Sequence, residues 1–396
     1  MTVDFPARPA AARAVFASAT AAWLIGHGGR ALDMAGLIEG FAARLIEDGI
    51  PVQRVSCASL TVHPQIRGRN VVWTRGRDTL ARTRGHELER SAVFRDSPFA
   101  ALVAGAPGLR RRLEGPAPRL DYPILAEVRN EGATDYAILP VRFASGAVNY
   151  VSWTTDRAGG FTDFDIWFLA DLVPLLALRL EIEAARFEGG VLLATYLGAE
   201  AARRVLAGDI RRGEGRTIRA ALWYSDLRGF TALAGRSDVI ATLNRYFECA
   251  VGAVENEGGE ILKFIGDAVL AIFPAAADAA TACAAALRAA HDADRRLAAL
   301  NEAQRAAGQT ALAHTIALHL GDVTFGNIGG PDRLDFTVIG AAVNELARLE
   351  ELAPTLGETI VASGSFAAAC PGPLLARGRH RLRGVAEPLE VFAAAR

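Results

Sequence analysis

The chain is poor in sulfur. Four cysteines (Cys57, Cys249, Cys283 and Cys370) and two methionines occur among 396 residues. No two cysteines stand at Cys-x-x-Cys spacing and no histidine cluster accompanies them, which argues against a zinc site and a disulfide framework. Scattered thiols suit a reducing compartment. Charge of one sign is also missing: the formal net charge is -1, so nothing in the balance advertises nucleic acid or an acidic membrane. Long apolar runs are absent too, since none reaches the ~20 residues a spanning helix needs. The nearest, residues 164–182, is interrupted by Asp165, Asp171, Pro174 and Arg179 and reads as an amphipathic helix. The run 14–26, behind Arg8 and Arg13, could mimic a signal-peptide core, but polar positions break it up. The expectation is a cytoplasmic protein with no membrane span and no nucleic-acid partner.

What is present fits globular protein. Hydrophobic residues make up 51% and charged residues 22%, and this length suggests two domains with a connector. In the first part, residues 33–50 repeat apolar side chains at three- and four-residue steps (Met34, Leu37, Ile38, Phe41, Leu45), a helical period. Residues 52–61 and 71–74 read as strands, and 97–114 as helix or loop. Residues 136–143 and 147–153 read as a hairpin across Ala144-Ser145-Gly146. Thr162, with Asp165 three residues on, marks a helix start. Residues 166–207 read as mostly helical with a break at Gly189-Gly190, and Leu172, Leu175, Leu176, Leu180 and Ile182 could form a seam with a partner chain. Residues 209–217 are polar and glycine-bearing, as a domain boundary should be. Arg110, Arg111 and Arg112 read as a solvated face. His63, Trp73, Tyr136 and Trp153 could line a sensory pocket or pack in a core.

The second part reads as strand (218–225), helix (237–257), two strands folded across Gly266-Asp267 (260–273), an alanine-rich helix (275–307) and two further strands (313–320 and 323–328). This is a mixed α/β (α+β) plan of the split βαβ, ferredoxin-like kind, βαββαβ, with additions. His319 inside its strand reads as structural.

Two aspartates in this part carry the chemistry. Asp226 lies in Tyr224-Ser225-Asp226-Leu227-Arg228-Gly229-Phe230-Thr231, and Asp267 in Lys263-Phe264-Ile265-Gly266-Asp267-Ala268. One ends a strand and the other sits at a hairpin tip. Neighbouring strands lie about 4.8 Å apart, so both carboxylates can reach shared divalent cations, which take oxygen ligands and borrow phosphate oxygens. The glycine-bearing turn after Asp226 can aim backbone N–H groups at a triphosphate. Asn344 and Arg348 stand one helical turn apart and face one way. A lysine donor at 263 suits the acceptors of adenine's ring edge, whereas guanine would want a carboxylate acceptor.

These segments, with residues 317–329, 336–350 and 382–392, resemble the catalytic domain of class III nucleotidyl cyclases over residues 216–394. The resemblance implies a cyclase domain at 216–396 and an adenylate cyclase that closes ATP into 3′,5′-cyclic AMP and pyrophosphate. Two Mg²⁺ or Mn²⁺ ions per site would be held by Asp226, Asp267 and the Leu227 carbonyl. Lys263 and Thr337 would read the base, with Phe230 and Thr231 also at the nucleotide. Asn344 would orient the ribose, Arg348 would meet the transition state, and Arg383 would contact the triphosphate. It implies a two-fold homodimer whose sites combine residues of both chains. Thr337, where aspartate is the commoner residue, and Arg383, where lysine is, depart from the pattern. The pattern of residues 1–165, closing in Gly160-Phe161-Thr162-Asp163-Phe164-Asp165, resembles a GAF-type domain, which implies a regulatory unit for an unknown small molecule or ion, followed by a helical linker over 166–215. Alternatives are a guanylate cyclase, or a protein that binds nucleotide without turnover. A cyclic-dinucleotide synthase would need a Gly-Gly-Asp/Glu-Glu-Phe signature, which Glu257-Gly258-Gly259-Glu260-Ile261 lacks.

Overall fold

A computed structural model describes residues 18–26, 32–61, 66–230, 238–275, 278–385 and 387–395. His63, Thr231 and Ser237 lie outside the described residues. The chain divides into two compact units, Met1–Leu192 and Leu193–Arg396. No helix among the described residues is long and apolar enough to cross a membrane.

In the first unit, α1 (Ala19–Ile25) and α2 (Met34–Glu47) precede β1 (Arg54–Leu60), β2 (Gly68–Thr74) and β3 (Leu80–Arg84). Two short helices, α3 (Ala92–Arg95) and α4 (Pro98–Val103), lead to β4 (Leu109–Arg112). Then come α5 (Pro123–Asn130), the hairpin β5 (Asp135–Arg142) and β6 (Val148–Thr155), and the long α6 (Asp163–Leu197). The strands form one antiparallel sheet in the order β3-β2-β1-β6-β5-β4. The helical period read at 33–50 becomes α2, whose Leu37, Ile38, Phe41 and Leu45 are buried with Cys57, Val71, Val151 and Trp153 of the sheet. A second core gathers Phe99, Leu102, Leu125, Val128, Tyr136 and Ile138. Trp153 and Tyr136 thus belong to different cores, and Trp73 packs against the first; these aromatics are packing residues rather than the lining of one pocket.

The start of α6 is a capping box: Thr162 Oγ1 accepts from the Asp165 backbone N–H at 3.1 Å, and Asp165 Oδ2 accepts from that of Thr162 at 2.7 Å. The helix then runs unbroken through Gly189-Gly190 to Leu197, contrary to the expected break. Glycine weakens a helix without forbidding it, and the interruption comes instead at Gly198, with φ 88. The expected seam is corrected as well. Leu172, Leu176 and Leu180 are buried in their own unit's core, against which Leu175 packs, and only Ile182 is exposed.

Of the basic run, Arg112 is exposed as expected of a solvated face, but Arg110 corrects that reading. Arg110 sits on β4 and is buried. Its Nη2 meets Asp135 Oδ2 at 2.8 Å and the Phe161 carbonyl at 2.5 Å, and the fully buried Asp135 also accepts from the Phe161 and Tyr136 backbone N–H groups. Arg111 pairs with Asp121 at 2.8 Å, and Arg112 donates to the Gly159 carbonyl.

In the second unit, α7 (Ala199–Ala207) precedes β7 (Gly215–Leu227), α8 (Val239–Asn256), β8 (Glu260–Ile265), β9 (Ala268–Pro274), α9 (Ala279–Ala306) and β10 (His314–Gly329). After these come β11 (Leu334–Ile339), α10 (Ala341–Leu356), β12 (Ile360–Ser363), α11 (Gly364–Ala369), β13 (Leu374–His380) and β14 (Leu389–Ala394). The sheet order is β13-β14-β12-β10-β7-β9-β8, with β11 paired to β10. Its β10-β7-β9-β8 portion is the 4-1-3-2 order of a βαββαβ ferredoxin-like core. The two strands expected at 313–320 and 323–328 are one continuous β10: the Gly321-Asp322 step between them pairs with Ala220 and Arg219 of β7.

Strand alternation divides the core. Ala221, Trp223, Ile316 and Leu318 share one cluster with residues of α8 and α9. Ala220, Leu222, Ala317 and Val323 share the other with Leu346, Leu349 and Ala353 of α10 and Ala201 of α7.

Because Asp135 satisfies a buried guanidinium, Asp135→Ala should destabilise the first unit by about 3–5 kcal/mol, since it strands the Arg110 charge. Urea unfolding checks this; a loss below about 1 kcal/mol would mean that Arg110 reaches water.

Candidate active site

Asp226 is the penultimate residue of β7, and β10 places Thr315 directly opposite it. On its other side β7 pairs with β9 as far as Ser225 opposite Val269. Carried one step further, that register sets Asp226 beside Ala268, the neighbour of Asp267. Asp267 is held by the tight β8–β9 turn, where Ile265 pairs with Ala268. Gly266 supplies the turn's positive φ of 65 at the first central position, where a two-residue hairpin loop favours glycine. The two aspartates, 41 residues apart in sequence, thereby come within hydrogen-bonding reach of each other.

The electrostatics follow from this contact. Burial, then the Asp267 and Glu350 charges and the Asp267 hydrogen bond, push the Asp226 carboxyl up to about 7, against a weaker opposing hydrogen bond at the Leu227 backbone. Two facing carboxylates resist joint ionisation unless a cation joins them. No side-chain cation figures among the main influences on Asp226. Tyr224 is pushed up to about 12, mainly by burial and then by the Asp226, Glu350 and Asp267 charges. Beneath the strand end, Ser225 Oγ and the buried Tyr246 hydroxyl hydrogen-bond at 2.7 Å.

This donor set fits a divalent cation, as hard oxygen ligands with uncompensated negative charge. Among the described residues no group of three or more His, Cys, Asp and Glu side chains is clustered to hold a metal. The fit therefore rests on the two carboxylates, with the Leu227 carbonyl as the further oxygen expected beside them.

Glu350 was not anticipated. It is buried on α10 and accepts a hydrogen bond from Thr315 Oγ1. Burial raises its pKa, and the Glu351 and Asp267 charges add to that. The available signal was its position: with Leu346, Leu349 and Ala353 it lies on the core stripe of an amphipathic helix, where an acid is out of place.

The other expected residues have contacts of their own. Lys263, on β8, forms an ion pair with Asp335 of β11 at 2.5 Å. Thr337, two residues further along β11, is buried, and its hydroxyl has no hydrogen-bond partner. Asn344 is exposed on the first turn of α10, and Arg348, one turn on, pairs with Glu351. Arg383 is exposed. Phe230 packs against the core that includes Tyr246 and Leu227. Among the described residues, no hydrogen bond or ion pair joins Asp226 or Asp267 to Lys263, Thr337, Asn344, Arg348 or Arg383 within one chain. His319 is buried in β10, 3.6 Å from Glu345, and burial pushes its pKa down to about 4.

A carboxyl whose folded pKa exceeds its unfolded value binds its proton more tightly when folded. Its contribution therefore supports the fold at low pH and is lost as pH rises through the folded value, here about 7. In metal-free buffer the thermal midpoint should fall as pH is raised from about 5 through 7, and Asp226→Asn should flatten that fall. An identical slope in wild type and variant would show that the carboxyls are not in contact.

No family model matches the chain. It is 32% identical over 174 residues to adenylate cyclase 1 of Rhizobium meliloti (strain 1021), covering 43% of this chain and 26% of that protein. It is 35% identical over 164 residues to the adenylate cyclase of Anabaena cylindrica, covering 40% and 32%. The chain thus spans about a quarter to a third of the length of these relatives. Among solved structures, the adenylyl cyclase CyaB from P. aeruginosa is 26% identical with a TM-score of 0.43, over 46% of this chain and 96% of that one. The guanylyl cyclase Cya2 is 27% identical with a TM-score of 0.41, over 46% and 93%. Over these 164 to 174 residues, the chain is similar in sequence to part of each of these two adenylate cyclases.

Proposed function

We propose that this chain is an adenylate cyclase that converts ATP into 3′,5′-cyclic AMP and pyrophosphate. The observation that carries the reading is the Asp226–Asp267 contact, two carboxylates at a strand end with no cation among the main influences on Asp226. The named relatives agree with it. Asp226, Asp267 and the Leu227 carbonyl hold two Mg²⁺ or Mn²⁺ ions. Bound there, the ions supply Lewis acidity that makes the ribose 3′-hydroxyl a better nucleophile and offsets phosphate charge. In this reading Asn344 orients the ribose, Arg348 offsets the charge that develops on the α-phosphoryl group, and Arg383 meets the triphosphate. Lys263 and Thr337 read the base, and Phe230 and Thr231 border the nucleotide.

Asn344 is exposed, Arg348 is half-buried and paired with Glu351, and no hydrogen bond or ion pair among the described residues joins either to the aspartate pair within one chain. The reading therefore places them in the partner's site: a two-fold homodimer has two equivalent composite sites. Residues 1–165 then act as a GAF-like regulatory unit and 166–215 as the segment that transmits its signal.

Purified full-length protein with Mg²⁺ or Mn²⁺ should form cyclic AMP from ATP in preference to cyclic GMP from GTP. A GTP preference would make it a guanylate cyclase, and nucleotide binding without a cyclic product would make it a silent binder. Asp267→Ala and Asn344→Ala should each lose more than about a hundredfold in activity, the scale set by removing one oriented transition-state group. Co-expressed, they should regain activity through the one intact composite site per dimer. A mixture as inactive as its parents would dismiss the shared site.

A further inference from the structure

One side of α6 is committed to its own unit. Leu169, Leu172, Leu176, Leu180 and Ala184 are buried there and pack with α2 and the sheet. The opposite side is apolar too. Leu178, Ile182, Ala185, Gly189 and Leu192 follow one another at alternating steps of four and three residues, which keeps them on one face of a helix. Two residues on from Leu176 or Leu180 is about 200° round the axis, so this second face turns away from the core. Leu178 is 60% exposed and Ile182 48%. Ala185 is exposed as well, and Gly189 and Leu192 are half-buried. A Cβ added at Gly189 would meet nothing within 4 Å. A helix apolar all round belongs in an interior, and here one side lies open.

The composition of that face identifies the occupant as a second copy. Alternating steps of three and four are the heptad of two helices wound together. In that frame Ile182 and Gly189 take the a positions, and Leu178, Ala185 and Leu192 the d positions. Isoleucine at a with leucine at d is the combination that favours two parallel strands. The flanking charges fix the direction. Arg179 and Arg186 fall at e, Glu181 and Glu188 at g. Run antiparallel, two such helices set g beside g and e beside e, acid on acid and base on base. Run parallel and in register, they set Glu181 of each copy beside Arg186 of the other, because g meets the e position five residues on. Glu181 is already steadied at this edge. Its two carboxylate oxygens accept from the Ala144 and Ser145 backbone N–H groups at 2.9 and 3.2 Å, which leaves each a lone pair for a guanidinium.

We propose that the open face of α6, from Leu178 to Leu192, pairs with the same face of a second copy of this chain, parallel and in register. The inference rests on the cyclase reading for the existence of a homodimer, and on α6 for where and how the two copies meet in the first unit.

Cross-linking of the full-length protein tests it. Leu178 and Leu192 are fourteen residues, about 21 Å, apart along the helix. In a parallel, in-register pair each faces its own copy, so Leu178→Cys and Leu192→Cys should each form a disulfide-linked dimer when oxidised with copper phenanthroline. Wild type, whose Cys57, Cys283 and Cys370 are buried and whose Cys249 is half-buried, should not. An antiparallel pair can bring at most one of the two positions onto itself. One variant cross-linking without the other therefore overturns the parallel register, and neither cross-linking overturns the seam. In sedimentation, Leu178→Glu combined with Ile182→Glu should raise the dimer dissociation constant about tenfold or more, the scale of putting charge where leucine packed, without moving the thermal midpoint. An unchanged dissociation constant also overturns the seam. No cross-link while the Asp267→Ala and Asn344→Ala mixture regains activity would remove the seam and leave the composite site standing. Both cross-links in a protein that makes no cyclic nucleotide would do the reverse.

Discussion

Two like charges held together organise the second unit. No side-chain cation is among the main influences on Asp226, and its approach to Asp267 is fixed by the register of β7 against β9 and β10 and by the tight β8–β9 turn. Such an arrangement is costly in the free protein and becomes favourable only when positive charge arrives, so the affinity of the site is stored in the backbone pairing. Glu350 and Thr315 add a layer behind it: a third acid bonded to the strand residue opposite Asp226. The sheet is therefore as much a part of the acid pair as the carboxylates are.

Much of this was legible from sequence because the signals were local. The Gly-Asp turn located β8 and β9, and the three- and four-residue apolar steps located α2 and α8. The spacing of Thr162 and Asp165 located the start of α6. Asp226 and Asp267 were found for the same reason, since each has a turn or strand end beside it. What failed was non-local. Arg110 looks like surface until Asp135, on the adjacent strand, and the Phe161 carbonyl are seen to receive it. The leucines of α6 look like a partner seam until the unit's own sheet is found beneath them. Lys263 and Asp335 are 72 residues apart, and no periodicity links them.

Glycine misled twice in the same direction. Gly189-Gly190 was read as a break and is helical, because propensity is a weak prior against tertiary packing. Gly321 falls between the two strands expected at 313–320 and 323–328 and lies within β10, opposite Ala220. The positions where glycine is needed are those with positive φ or close approach. At Gly198, with φ 88, an added Cβ would meet the Ile261 carbonyl oxygen at 2.9 Å, so α7 closes onto β8 through a residue that tolerates no side chain.

The length of β10 has a mechanical consequence. Its first half carries Thr315, opposite Asp226, and its last residues pair with β11, where Asp335 and Thr337 sit. One unbroken ribbon thus spans from the acid pair to the strand that carries Asp335 and Thr337. A single residue inserted near its middle would invert every side chain downstream and put the two halves of the chemistry out of phase. The interval between them behaves as a fixed ruler, and lineages of this protein should tolerate length changes in its loops far more readily than in this strand.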